Sequence, residues 1–477
     1  MNKFYITAAI PYVNAAPHIG HALEYVQADV IKRFKQKQGF SVTLLSGGDE
    51  NSLKNVQAAE KAGVSVQELV DKNNLLFKEL VKNLNADFDI WQKGSSKNHH
   101  ISSQKLWELC DKNGDIYKKT YTGLYCVGCE LFYEKNELNE KGECFEHPGK
   151  KLEEVSEENY FFKLSKYQDQ VLKLLESDEI KIIPSFRKNE AVNFVKQGLS
   201  DISISRSNER AKNWGVTVPG DETQKMYVWF DALNIYQSGV GFGWDDEKYK
   251  KLWPADVHVI GKGILRFHAI YWPAFLLSAK LDLPKSIFVH GYFTVDGQKM
   301  SKTLGNVVDP NEIIKKYGVD ALRYYFLAEI PPASDGDFSE DRLKEVYNAD
   351  LANGLGNLVA RVAKLCETSG FKQAQNQKHV IEDQDYIKAL ESYRFDEGLK
   401  FIWNKIDQLN KYVDENKPWE LQKNNDPKLK DVLSHLVDGI QEIAELLLPF
   451  LPQTSEKIRE QFARDQIKSS FSLFPRI

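Results

Sequence analysis

Apolar positions from Lys3 to Ala9 form a short β-prone run, Pro11 to Pro17 reads as a loop, and from His18 to Gln38 apolar residues recur at helical spacing before Gly39. The next run, Ser41 to Ser46, is again β-like and ends at Gly47-Gly48. Strand, turn, helix and strand make one βαβ unit of a parallel sheet, which binds ligands beyond the carboxyl ends of its strands. Around Tyr117 the pattern changes to short aromatic and β-branched runs broken by Gly, Asn and Lys, and it stays irregular to about Pro219, as in an inserted domain. From Tyr227 the α/β rhythm resumes, with strand-like Val257 to Ile260 and Ser286 to Val289 flanking a helical stretch from Ile264 to Ala279. After about Glu345 strands vanish; Leu429, Leu433, Leu436, Ile440, Ile443 and Leu447 repeat at helical spacing up to Pro449. The divisions expected are 1–115 and 220–345 for the two halves of one α/β domain, 116–219 for the insert and 346–477 for a helical bundle.

A length of 477 residues fits about three domains. With 63 Lys and Arg against 68 Asp and Glu the net charge is −5, so no general basic field marks a DNA-coating protein. No window approaches the ~18 apolar residues of a membrane span, and prolines and Asn interrupt the N-terminal apolar run, so neither a span nor a secretory signal is expected and the cytoplasm is the default. Five cysteines are too few for a disulfide framework in so long a chain. Three of them, with one His, are clustered: Cys126-x2-Cys129 and Cys144-x2-His147 offer three thiolates and an imidazole, the four-coordinate set that selects zinc. With all four positions filled by protein, such a site is structural, one ion per chain. Cys110 and Cys366 lie outside this spacing and read as buried thiols.

Two further motifs carry chemistry. His18-Ile19-Gly20-His21 stands where the first loop becomes a helix, so backbone N–H groups, the positive dipole end and two imidazoles would face an anion, while Gly20 would let a base or phosphate approach closely. Lys299-Met300-Ser301-Lys302-Thr303 follows an apolar run and the turn Asp296-Gly297, and a loop of this kind can close lysines over a triphosphate as charge develops. Taken singly, each motif also fits a bland reading, a packed helix start or a solvated charge pair.

Together they resemble the signature pair of the class I aminoacyl-tRNA synthetases. The resemblance extends over nearly the whole chain and is closest to the methionyl-tRNA synthetase family, through Ala9-Ile10-Pro11-Tyr12, the Cys cluster, Trp229-Phe230-Asp231-Ala232 and Ile264 to His268. It implies a Rossmann-like nucleotide-binding domain split by the zinc-bearing insert and followed by an α-helical anticodon domain. It also implies activation of L-methionine with ATP and magnesium, release of pyrophosphate, and transfer to tRNA(Met). By carry-over His18, His21, Lys299 and Lys302 are catalytic, and with Gly20 and Ser301 they bind ATP. Asp49 meets the methionine ammonium, and Ala9, Ile10, Tyr12, Trp229, Ala232, Leu233, Tyr236, Ile264 and His268 surround the side chain, where an apolar, polarizable pocket suits a thioether. Asn357, Arg361 and Trp419 match anticodon-reading positions, Trp for stacking and Asn and Arg for base edges.

The chain departs from the family pattern in places. Glu50 is followed by Asn51-Ser52 where His-Gly is usual, so the resemblance assigns Asn51 no role; Leu233 stands where a member of the family has Pro, and Gly263 falls where Gly-Lys-Asp is usual. Synthetases for Ile, Leu and Val carry a much larger editing insert than roughly 100 residues can hold, and the intact His and Lys motifs speak against a noncatalytic zinc-knuckle RNA-binding protein on the same fold. The expected partners are methionine, ATP and tRNA, with no membrane and no DNA, and the expected state is a monomer.

Overall fold

The computed structural model describes residues 2–126, 131–133, 138–144, 149–300, 305–372, 383–463, 466–469 and 472–477. They divide into two compact units, Met1–Pro17 with Gly39–Val81 and Asp87–His290, and His18–Gln38 with Lys82–Ala86 and Gly291–Ile477.

The first unit is built on six strands in the order Ile90–Lys93, Ser41–Gly48, Lys3–Ala8, Val257–Gly261, Ser286–His290 and Lys181–Ile183, every neighbouring pair parallel. Buried on both faces, such strands read as continuous apolar runs, as the central Val257–Gly261 does. The order runs outward in both directions from the adjacent strands Lys3–Ala8 and Val257–Gly261. The chain therefore reverses its winding between them, and loops leaving their carboxyl ends diverge to open a crevice. Ala9 to Tyr12 leave one strand there and Ile264 follows the other.

The expected helix from Ile264 to Ala279 is broken into three pieces, a 3₁₀ turn at Lys262–Ile264, a π-helical turn at Phe267–Tyr271 and an α-helix at Trp272–Ala279. Pro273 is the cause: it has no N–H for the i−4 carbonyl, so regular α-helix begins only at the proline, where an unbonded N–H costs nothing.

The irregular middle of the chain is antiparallel β-structure, with strands Leu131–Tyr133, Ile116–Cys126, Glu153–Phe162 and Ile202–Ser203 in one sheet and Thr217–Val218, Asp221–Met226 and Ser205–Ser207 in another. Ile116–Cys126 and Glu153–Phe162 pair from Ile116↔Phe162 to Tyr125↔Glu153.

In the second unit the helix Ile19–Lys37 ends at Gly39, whose φ of 85° a side chain would oppose. A small sheet of Phe293–Val295, Gln298–Lys299 and Gly336–Phe338 precedes the helices. The longest, Phe395–Asn416 and Lys428–Leu447, turn apolar stripes inward. Fully buried Arg323 is the polar centre of this unit. Its guanidinium is 2.7 Å from Asp29 and donates to the carbonyls of Leu84, Pro449 and Phe450 at 3.2, 3.0 and 2.7 Å. Four partners on separate segments satisfy the planar fork, which is what makes a buried charge tolerable. Among the described residues no helix is long and apolar enough to cross a membrane.

Candidate active site

Nine of the ten residues expected around the amino acid flank the crevice of the first unit or pack on its core, and the tenth, Asp49, follows the strand Ser41–Gly48. Asp49 and Tyr12 form a parallel bridge, with the Asp49 N–H donating to the Pro11 carbonyl at 2.9 Å, so the two loops at the strand ends are joined. Asp49 is buried, and the next helix is capped by Ser52, whose hydroxyl accepts from the Lys54 N–H; Asp49 is thus not spent as a helix cap. The Lys54 ammonium lies 4.1 Å from the Tyr12 ring centroid.

Trp229 and Tyr236 sit on two short consecutive helices, Val228–Leu233 and Ile235–Ser238, with Ala232 and Leu233 buried between them. Trp229 stacks on Phe267 at 3.7 Å with 3° between the planes, an apolar wall of which sequence reasoning named only one half. Tyr236 Oη is 2.7 Å from His268 Nε2, and His268 Nδ1 is 2.8 Å from the Ile264 carbonyl. A carbonyl only accepts, so Nδ1 carries the proton and Nε2 accepts from the tyrosine. Burial pushes the His268 pKa down to about 4, which keeps this ring neutral.

A buried polar network beneath the pocket was not expected from the sequence. Asp231 accepts from Asn51 Nδ2 through one oxygen at 2.7 Å, and through the other it meets His99 Nε2 at 2.6 Å and Ser103 Oγ at 3.2 Å. Asn51 also donates to the Gly94 carbonyl at 2.9 Å. The position for which the family offers no role thus ties the segment after Asp49 to the helix carrying Trp229 and Ala232. Glu50 is also buried, held by the Ser95 N–H at 2.7 Å and the Asn74 amide, and burial raises its pKa.

In the second unit His18 is the N-cap of Ile19–Lys37. Its Nδ1 accepts from the Gly20 N–H at 3.2 Å, and His21 Nδ1 accepts from the His18 N–H at 3.1 Å. This corrects the expectation of a backbone anion nest: the Ile19 N–H donates to the Val308 carbonyl at 3.2 Å and the His21 N–H to the His18 carbonyl at 3.0 Å, so the amides of this turn are engaged. A neutral imidazole accepting at Nδ1 bears its proton at Nε2, so each ring is a donor by its far edge. Burial and the neighbouring His18 hold the His21 pKa well below the usual range, which keeps that ring neutral. A Cβ on Gly20 would come within 3.1 Å of the His18 ring and 3.7 Å of the Met300 methyl, so the missing side chain makes room for the ring cap and brings the second motif beside the first. Lys299 ends the strand Gln298–Lys299; its side chain, Ser301 and Lys302 lie outside the described residues.

Cys126 closes the strand Ile116–Cys126, and its Sγ is 3.2 Å from that of Cys144, both residues buried. That separation suits two thiolates on one ion, and Cys129 and His147 lie outside the described residues. Burial pushes the Cys110 and Cys366 thiols up to about 12, as inert core groups require. Asn357 opens the helix Asn357–Ser369 and Trp419 the helix Pro418–Lys423, and the Arg361 guanidinium lies 5.9 Å from the centroid of the half-exposed Trp419 ring. Arg361 is also 2.9 Å from Asp414.

A family model described as tRNA synthetases class I (M) matches residues 4–363. The methionine–tRNA ligase of Brucella melitensis is 40% identical, with 98% of this chain and 93% of that one aligned. That of Thermotoga maritima is 42% identical over 96% of this chain and 74% of its own. The structure of Mycobacterium tuberculosis methionyl-tRNA synthetase in complex with methionyl-adenylate superposes with a TM-score of 0.92 at 35% identity, covering all of both chains.

Proposed function

This chain belongs to the class I tRNA synthetases as a methionine–tRNA ligase, which activates methionine with ATP and transfers it to tRNA, and we propose that it does so with the residues described above. In the first step a methionine carboxylate oxygen attacks the ATP α-phosphorus, the bond to the bridging oxygen breaks and pyrophosphate leaves. In the second a hydroxyl of the terminal adenosine of tRNA(Met) attacks the acyl carbon and AMP leaves. Neither step needs an enzyme nucleophile, so catalysis is positioning and charge stabilisation.

Asp49 receives the methionine ammonium, and Ala9, Ile10, Tyr12, Ala232, Leu233 and Ile264 enclose the side chain between the Trp229–Phe267 wall and the neutral Tyr236–His268 pair. His18 and His21 offer Nε2–H donors to the triphosphate beside Gly20, while Lys299, Ser301 and Lys302 meet the charge that grows on the leaving pyrophosphate. Magnesium bound with ATP neutralises part of that charge. Cys126, Cys129, Cys144 and His147 hold one structural zinc, and Asn357, Arg361 and Trp419 read the anticodon. The four divisions 1–115, 116–219, 220–345 and 346–477 serve these tasks in a cytoplasmic monomer.

The observation that carries the reading is a thioether-sized apolar crevice with a buried carboxylate at the carboxyl ends of the central strands. Asp49→Asn tests it: methionine affinity should fall by about 1.5 to 3 kcal/mol, the range for a hydrogen bond to a charged group, with ATP affinity unchanged in calorimetry. Unchanged methionine affinity would remove Asp49 from the site.

A further inference from the structure

Behind the amino-acid crevice, in the same unit, lies a second cavity of about 210 Å³ that the expected site does not include. It shares backbone with the crevice: Tyr227 precedes Trp229 by two residues, and Arg266 adjoins Phe267, the partner of Trp229. Its cations and rings are interleaved. Arg210 lies 4.1 Å from the Tyr125 ring centroid, Arg266 4.9 Å from that of Phe194 and the buried Arg206 5.4 Å from that of Tyr227. Against these three guanidiniums stand two carboxylates, both turned to protein donors. Glu157 accepts from the Ser207 N–H at 3.0 Å and from Asn159 Nδ2 at 3.1 Å, and Asp201 accepts from the Tyr117 hydroxyl at 2.9 Å and the Ser165 hydroxyl at 2.6 Å.

Two lining polar atoms point to a ligand. Tyr227 Oη and Asn159 Oδ1 are buried and have no hydrogen-bond partner among the described residues, although each residue is more than nine-tenths buried. Leaving such atoms unmatched is costly, so an occupant should accept from the phenol and donate to the amide oxygen. A purine base does both on one edge, its flat face suits the Tyr and Phe rings, and its phosphate suits the guanidiniums. The volume, below the ~300 Å³ of a typical drug-sized site, is on the scale of one nucleotide and excludes a duplex.

We propose that this cavity holds the 3′-terminal nucleotide of the tRNA, which must come beside the activated methionine for transfer. The inference rests on the ligase reading above. Within it, Arg210 and Phe194 are specificity residues for transfer, remote from amino-acid activation.

The test uses the full chain with two forms of tRNA(Met), complete and lacking only the terminal adenosine. Wild type should bind the complete form roughly tenfold more tightly, the low end of what one stacked base contributes. Phe194→Ala and Arg210→Glu should lose that preference while methionine-dependent ATP–pyrophosphate exchange stays within twofold of wild type, and Arg210→Lys should keep part of the preference. If wild type shows no preference, if either variant retains it in full, or if exchange falls in parallel with it, the cavity is not the acceptor site. Absence of methionine-dependent exchange in the wild type itself would instead overturn the ligase reading.

Discussion

Tyr236→Phe removes one oxygen from the floor of the amino-acid crevice and leaves the ring's shape unchanged. In the wild type that hydroxyl donates to His268 Nε2 at 2.7 Å, and the opposite nitrogen donates to the Ile264 carbonyl at 2.8 Å, so both ring nitrogens are spent. The variant leaves Nε2 as an acceptor with its donor gone, in a place where Tyr236 and His268 are 2% and 1% exposed. A buried group stripped of its partner costs about 1 to 3 kcal/mol. Bound methionine does not repair the loss, because a thioether has no proton to give. Urea unfolding followed by the fluorescence of the buried tryptophans should therefore show the destabilisation with and without methionine. The double variant Tyr236→Phe/His268→Leu should recover part of it, since an apolar pair leaves no acceptor at Nε2. A Tyr236→Phe protein as stable as wild type to within ~0.5 kcal/mol, or a double variant less stable by the sum of both single changes, would refute the hydrogen-bond reasoning.

The same histidine gives a pH prediction. His268 protonates near 4 when folded and near its ordinary 6.5 when unfolded, so its contribution is complete above 6.5 and is lost as pH falls toward 4; unfolding free energy should drop through that window, and less so in His268→Gln. Cys126→Ser should release zinc measurable by elemental analysis and expose the insert to proteolysis, while a fully folded, active, metal-free wild type would remove the metal from the account. Trp419→Ala should lower tRNA charging roughly ten- to hundredfold by loss of a base-stacking platform, with pyrophosphate exchange unaffected; a parallel fall in exchange would return Trp419 to a packing role.

How much of this the sequence discloses depends on how local the cause is. The βαβ unit is legible because strands covered on both faces are apolar throughout and the helix between them has its own period. Glu153–Phe162 is not, since its burial pattern leaves most of the first six residues, Glu-Glu-Val-Ser-Glu-Glu, facing solvent. Trp229, Tyr236 and His268 were found by resemblance to a family, for their spacing alone marks ordinary core. Asn51 and Asp231 are 180 residues apart, and only the fold brings them within 2.7 Å. The engaged amides at His18 were equally hidden, because one partner, Val308, lies far along the chain.

The most direct measurement of the central claim is ATP–pyrophosphate exchange by the full chain with each amino acid supplied singly, followed by addition of tRNA(Met) to the methionine reaction. The account predicts exchange with methionine far above that with any other amino acid, followed by esterification of methionine to the tRNA. Exchange that is independent of methionine, or an adenylate that forms and is never transferred, would contradict it.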